Sequence, residues 1–111
     1  MAETFKNAYK DITNSAQTIY TCPGSTTAIV LTLRITNIDG TNDDTITADV
    51  IDSDGSTNAR IASTLDVPAD ATVELAGTSK IVLEAGDKID LTGGAASGDL
   101  EAFISVLEIQ A

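Results

Sequence analysis

The chain has no histidine, no tryptophan, one cysteine and two prolines; its aromatics are two phenylalanines and two tyrosines, and only six of its 111 residues are basic. Each shortage removes a class of function. Without histidine, the side chain that most often moves protons near neutral pH is missing, and no Ser/His/Asp or Cys/His set exists. The lone Cys22 has no partner for an internal disulfide, no zinc-site companions and no histidine base beside it. It therefore reads as a buried structural thiol. Six basic against seventeen acidic residues give a formal charge of -11, which repels phosphate backbones and anionic lipid. Neither nucleic acid nor a membrane is expected as a partner. No run approaches the roughly 20 apolar residues of a membrane span. Residues 1–10 lack the apolar stretch of a secretory leader, so synthesis in a cytoplasm is expected. No Walker loop or dinucleotide fingerprint is present, and the expectation is a non-enzyme with no cofactor.

What is present is apolar enough to fold. Hydrophobic residues make up 42% of the chain, too many for a disordered segment, and the length suits one domain over residues 1–111. Thr27 to Ile38 alternates Ala28, Val30, Thr32, Arg34 and Thr36 with Thr27, Ile29, Leu31, Leu33 and Ile35. The second set predicts a core-facing strand at period two. Turn formers from Asn37 to Asp44 follow, then Thr45 to Ile51 with Ile46, Ala48 and Val50 facing one way, and the pair reads as a hairpin with a long acidic loop.

Beyond the turn cluster Asp52 to Asn58, further strands are expected at Ala59 to Val67, Thr72 to Leu75, Ser79 to Leu83 and Lys88 to Leu91, with Gly86-Asp87 as a hairpin turn. Gly93 to Gly98 reads as a loop tip. Leu100 to Ile109 places Phe103, Ser105, Leu107 and Ile109 on one face and Ile104 and Val106 on the other, the signature of a central or interface-forming strand. Two more strands are expected at Thr4 to Asp11 and Gln17 to Cys22. No helical period survives. Seven or eight short strands predict an all-β, antiparallel two-sheet sandwich, with jelly-roll and immunoglobulin-like strand orders both open.

Two acidic groups have ligands suited to calcium: Asp39 with Asn42, Asp43 and Asp44, and Asp52 with Asp54 and Asn58. Their spacing departs from the EF-hand pattern, and such residues more often bond their own turn backbone, so no metal is expected. Phe103 and Tyr20 are expected in the core. Phe5 and Tyr9 lie in an amino-terminal strand or arm, residues 1–11, suited to engaging a neighbouring subunit by strand addition. Ile104 and Val106, on the second apolar face of the last strand, are candidates for contact with another subunit.

Several stretches, taken in order, carry a resemblance. They are Phe5-Lys6-Asn7-Ala8, the run from Thr18 to Pro23, Thr27-Ala28-Ile29-Val30, Asn37-Ile38-Asp39-Gly40, Val67-Pro68-Ala69-Asp70, Leu83 to Ile89 and Ile104 to Glu108. Together they resemble the small β-sandwich virion proteins encoded among the head and tail genes of tailed bacteriophages. The resemblance implies a non-enzymatic structural protein located in the virion, acidic and oligomeric, most simply a capsid decoration (cement) protein. It also implies partners: the major capsid protein or other virion proteins, and further copies of the chain, with a trimer among the possible states. A neck, tail-terminator or tail-surface position is the alternative. A carbohydrate-binding or host-adhesion module is a lesser one, since tryptophan platforms are lacking.

Overall fold

The computed structural model describes residues 2–56, 58–76, 79–96 and 98–110. Thr57 and Ser97, each within a turn cluster read from the sequence, lie outside the described residues. Nine strands are present among them: β1 (Ala2–Ile12), β2 (Gln17–Thr21), β3 (Thr26–Asn37), β4 (Asp44–Ile51), β5 (Asn58–Val67), β6 (Thr72–Glu74), β7 (Ile81–Leu83), β8 (Lys88–Gly93) and β9 (Leu100–Gln110). The expected all-β, two-sheet antiparallel sandwich is what forms, with one strand more than expected.

Sheet A runs β1-β9-β3-β6, with β7 also paired to β3, and sheet B runs β2-β8-β4-β5. β6 and β7 pair with different stretches of β3, at Arg34 to Thr36 and at Ala28 to Val30, so together they form one interrupted edge. Counted that way, the chain has eight strands, the first, eighth, third and sixth side by side in sheet A and the second, seventh, fourth and fifth in sheet B, the double Greek-key order of a jelly roll. This settles the choice left open by the sequence.

The same order corrects two expected hairpins. β3 lies in sheet A and β4 in sheet B, so the acidic segment between them crosses from one sheet to the other. Gly86-Asp87 does form a turn, with Asp87 N–H donating to Glu84 O, and Gly86 sits at a φ of 87°, open to glycine at little cost. That turn nevertheless joins β7 of sheet A to β8 of sheet B. The hairpin that does form is β4–β5.

The core is aliphatic. Ile12, Leu33, Ile35, Ile46, Leu83, Ile89, Leu91, Leu100 and Ile104 are fully buried between the sheets. Burying each side chain of this kind stabilises the fold by about 1.5–3 kcal/mol before entropy is charged. One phase shift, in β3, and the uninterrupted alternation of β9 decide which residues reach that core. In β3 a bulge sets Leu31 and Thr32 opposite Ser105 alone, and it flips the alternation: Ala28 and Val30 point inward before it, Leu33 and Ile35 after it. Ile29 is thereby turned to the outside, although the unbroken period of the sequence puts it in the core.

In β9 the buried set is Leu100, Ala102, Ile104, Val106 and Glu108, so Phe103, Leu107 and Ile109 face outward. Ile104 and Val106, expected at a subunit contact, are 0% and 1% exposed and belong to the chain's own core. Phe103, expected in the core, lies on the outer face. The inward set carries a carboxylate and the outward set a phenylalanine, which is why pattern alone picks the wrong face. Glu108 is held by the Tyr20 hydroxyl, which donates to Oε2, while Lys6 Nζ stands 3.3 Å from Oε1 as an ion pair without hydrogen-bond alignment.

A candidate interaction surface on sheet A

Partners across a sheet point to the same side, so the registers define each outer face residue by residue. On sheet A, Phe5 of β1 lies opposite Leu107 of β9, Leu107 opposite Ile29 of β3, and Ile29 opposite Val82 of β7. This is an unbroken apolar row across four strands. Phe5 is 74% exposed and Val82 59%; Leu107 and Ile29, flanked on both sides, are partly covered. A second row runs Tyr9, Phe103, Arg34 and Glu74, with Tyr9 78% exposed. Three of the four aromatics in the chain therefore stand on one outer face, and only Tyr20 packs against the core.

Between and below these rows the face is concave. A groove of about 730 Å³ is walled by Tyr9, Phe103 and Arg34, with Asp11 and Glu101 at its mouth and Lys10 alongside. A smaller hollow of about 310 Å³ lies between Phe5 and Leu31 over Ser105, whose small side chain leaves the dip. Charged groups sit toward the ends: Glu3 opposite Ile109 at one, Asp11, Glu101 and Glu74 at the other, with Arg34 in a 4.0 Å ion pair to Glu74.

Phe5 and Tyr9, singled out from the sequence, are both on this surface, two pleats apart on β1, which pairs with β9 at eleven consecutive positions without a shift. Ile104 and Val106 are not on it. Phe103, Leu107, Ile29 and Val82 were missed by sequence reasoning; the only signal that marks them is the registry across strands, which pattern along one strand does not contain.

The acidic loops do different work. Asp39 Oδ1 accepts the N–H groups of Thr41 and Asn42, and these bonds, the Thr41 one foremost, hold its carboxyl below the usual range. Asp43 accepts from Ala69 N–H, Asp44 from Thr45 and Gly94 N–H, and Asp54 from Ser56 N–H. The carboxylates shape turns and crossings. Among the described residues, no group of three or more metal-ligating acidic, Cys or His side chains converges. Cys22 is buried, with Sγ against the carbonyl oxygens of Thr26 and Leu83, and burial pushes its thiol pKa up.

No family model matches the chain, and no curated protein matches it. Solved structures do. A chain from the acid-stable capsid structure of Helicobacter pylori bacteriophage KHP30 aligns over 100% of this chain and 95% of its own, with a TM-score of 0.53 and 12% identity. A chain from Bacillus endospore appendages, described as disulfide-linked pili, aligns over 98% and 87%, with a TM-score of 0.56 and 17% identity. A chain from the infectious bursal disease virus Gx strain gives a TM-score of 0.54 at 12% identity; 97% of this chain spans only 30% of that one. The fold is shared with proteins of viral shells and of a bacterial fibre.

Proposed function

We propose that the chain is a non-enzymatic structural component of a tailed-phage virion, and that it binds the assembled head as a decoration protein. The observation that carries this reading is the concentration of three aromatics and three strand-crossing aliphatics on one outer face, in a protein whose chemistry offers surfaces and little else. An exposed apolar row of this kind is what a protein interface needs at its centre. The two full-length structural likenesses support an assembly role, because both come from ordered, many-copy assemblies. Disulfide-linked fibre assembly is the weaker fit: the one cysteine is 1% exposed and faces backbone carbonyls inside the sandwich.

On this reading the partner is the major capsid protein or another virion protein, and location in the virion follows. Binding the assembled shell in preference to its free subunits stabilises the shell by mass action, and repetition over many sites adds up small affinities. The test is quantitative mass spectrometry of purified particles encoded by the same genome, with immunogold labelling. Copy number comparable to that of the shell subunit, with label over the head, is expected. A handful of copies with label at the neck or tail moves the assignment there, and absence from the particle overturns it.

A further inference from the structure

We infer that the outer face of sheet A is the docking surface, and that its partner is another protein with an apolar centre and a basic surround. It is not a second copy of this chain. The inference rests on the virion reading for its setting and on the surface itself for its content.

The charges decide between these occupants. The apolar rows are bounded by Glu3 at one end and by Asp11, Glu101 and Glu74 at the other, against Arg34 and the nearby Lys10 and Lys80, while Lys6 beside the smaller hollow is paired with Glu108. Arg34 is already turned toward Glu74. Two copies packed face to face about a two-fold axis bring Glu3 of one toward Asp11 and Glu101 of the other, and each molecule carries a formal charge of -11. Like charges facing each other across an interface suppress that pairing. A partner with lysines and arginines around an apolar patch meets the same ends with opposite sign, and the long-range field steers it in.

The size of the face indicates how it is used. Four strands about 4.8 Å apart, over the about 27 Å of strand from Glu3 to Asp11, give a footprint near 500 Å². That is less than the about 800 Å² per partner of a standard stable interface. One docked copy is held weakly, whereas a surface repeated across a lattice retains many copies. Phe5 and Tyr9, standing proud beside the two hollows, are the anchors: interfaces draw most of their affinity from a few such aromatics seated next to concave ground.

Benzoylphenylalanine in place of Phe5 is the probe, irradiated in cells producing the particle, with the adduct mapped by mass spectrometry. The expected adduct is on a different protein, at an apolar site flanked by Lys or Arg. An adduct to this chain, to an acidic or uncharged site, or no adduct overturns the inference. A mapped basic-flanked site on a protein absent from the particle keeps the docking surface and overturns the virion reading. In parallel, cosedimentation with undecorated expanded heads compares wild type with Phe5→Ser/Tyr9→Ser and with Thr47→Ala/Thr92→Ala on the opposite sheet. The first pair is expected to weaken binding at least about tenfold and the second to leave it within about twofold. Equal binding by all three overturns the docking face while leaving the virion assignment standing.

Discussion

The two outer faces of this sandwich have the same architecture and opposite chemistry. Across sheet A runs Phe5, Leu107, Ile29 and Val82. Across sheet B the corresponding row is Thr18, Asp90, Asp49 and Arg60. There Asp90 and Asp49 lie directly opposite each other, a repulsive pairing, and each has its own donor: the Thr18 hydroxyl at 2.6 Å, and Arg60 through Nε at 2.9 Å and Nη2 at 3.3 Å. Sheet B is finished for water, with both carboxylates of this row partnered within the face. Sheet A leaves large apolar side chains in water in a chain that has few aromatics to spare. A structure that needed only to fold would have no reason for the difference.

The sharpest way to break the comparison is to show that sheet A's outer face is merely part of the core. If it is not, core and outer-face substitutions on the same strands separate widely. Ile104→Ala, inside, is expected to cost about 2–5 kcal/mol in urea unfolding. Phe5→Ser and Tyr9→Ser, outside, are each expected to stay within about 0.5 kcal/mol. Similar losses for all three would mean that the outer row is structural.

Next in size is the buried bridge between the sheets. Tyr20→Phe removes the donor to Glu108 Oε2 inside the sandwich and is expected to cost about 1–3 kcal/mol. It also has a pH signature. Burial first, then the hydrogen bond to Glu108 and its charge, push the Tyr20 hydroxyl well above its ordinary value of 10.0. The folded state keeps this proton where the unfolded chain releases it. The stabilisation is therefore whole below about pH 10 and is lost as pH climbs from there toward the folded value. Burial raises Cys22 in the same direction from 9.0, so wild type is expected to weaken progressively in alkali, and Tyr20→Phe to weaken less steeply. A pH-independent difference between the two would contradict this.

Smaller still is the crossing turn. At Gly86 an added Cβ would lie 2.8 Å from the Ser53 Cβ, at a φ of 87°. Gly86→Ala is expected to lower stability by about 1–2 kcal/mol and to leave both outer faces as they are, so head binding of the folded fraction is unchanged. The smallest effect belongs to sheet B: Arg60→Ala breaks an exposed pair and is expected to leave the melting temperature within error. A clear loss there would show that the polar row does more than face water.

Much of the architecture was legible along the chain because turn chemistry is local. The clusters at Asn37 to Asp44 and at Glu84 to Asp87 mark real changes of direction, and all nine strands fall near stretches with strand character. What such clusters do not encode is where the next strand goes, so two crossings between sheets passed for hairpins. The candidate surface was half legible. Phe5 and Tyr9 were found because they sit on a strand with little else to bury. Ile29 was hidden by the bulge at Leu31 and Thr32, one residue that reverses every later side chain. Phe103 and Leu107 were hidden by Glu108, since a carboxylate on the inward face only makes sense once Tyr20 and Lys6 are seen to meet it.

The central claim, that sheet A's outer face is covered in the working assembly and sheet B's is not, is tested most directly by hydroxyl-radical footprinting of free protein against protein on the particle. The account predicts that oxidation of Phe5, Tyr9 and Phe103 falls several-fold on the particle, while Arg60 of β5, exposed on the outer face of sheet B in the free chain, reacts as before. Unchanged oxidation of the three aromatics, or protection confined to β5, would contradict it.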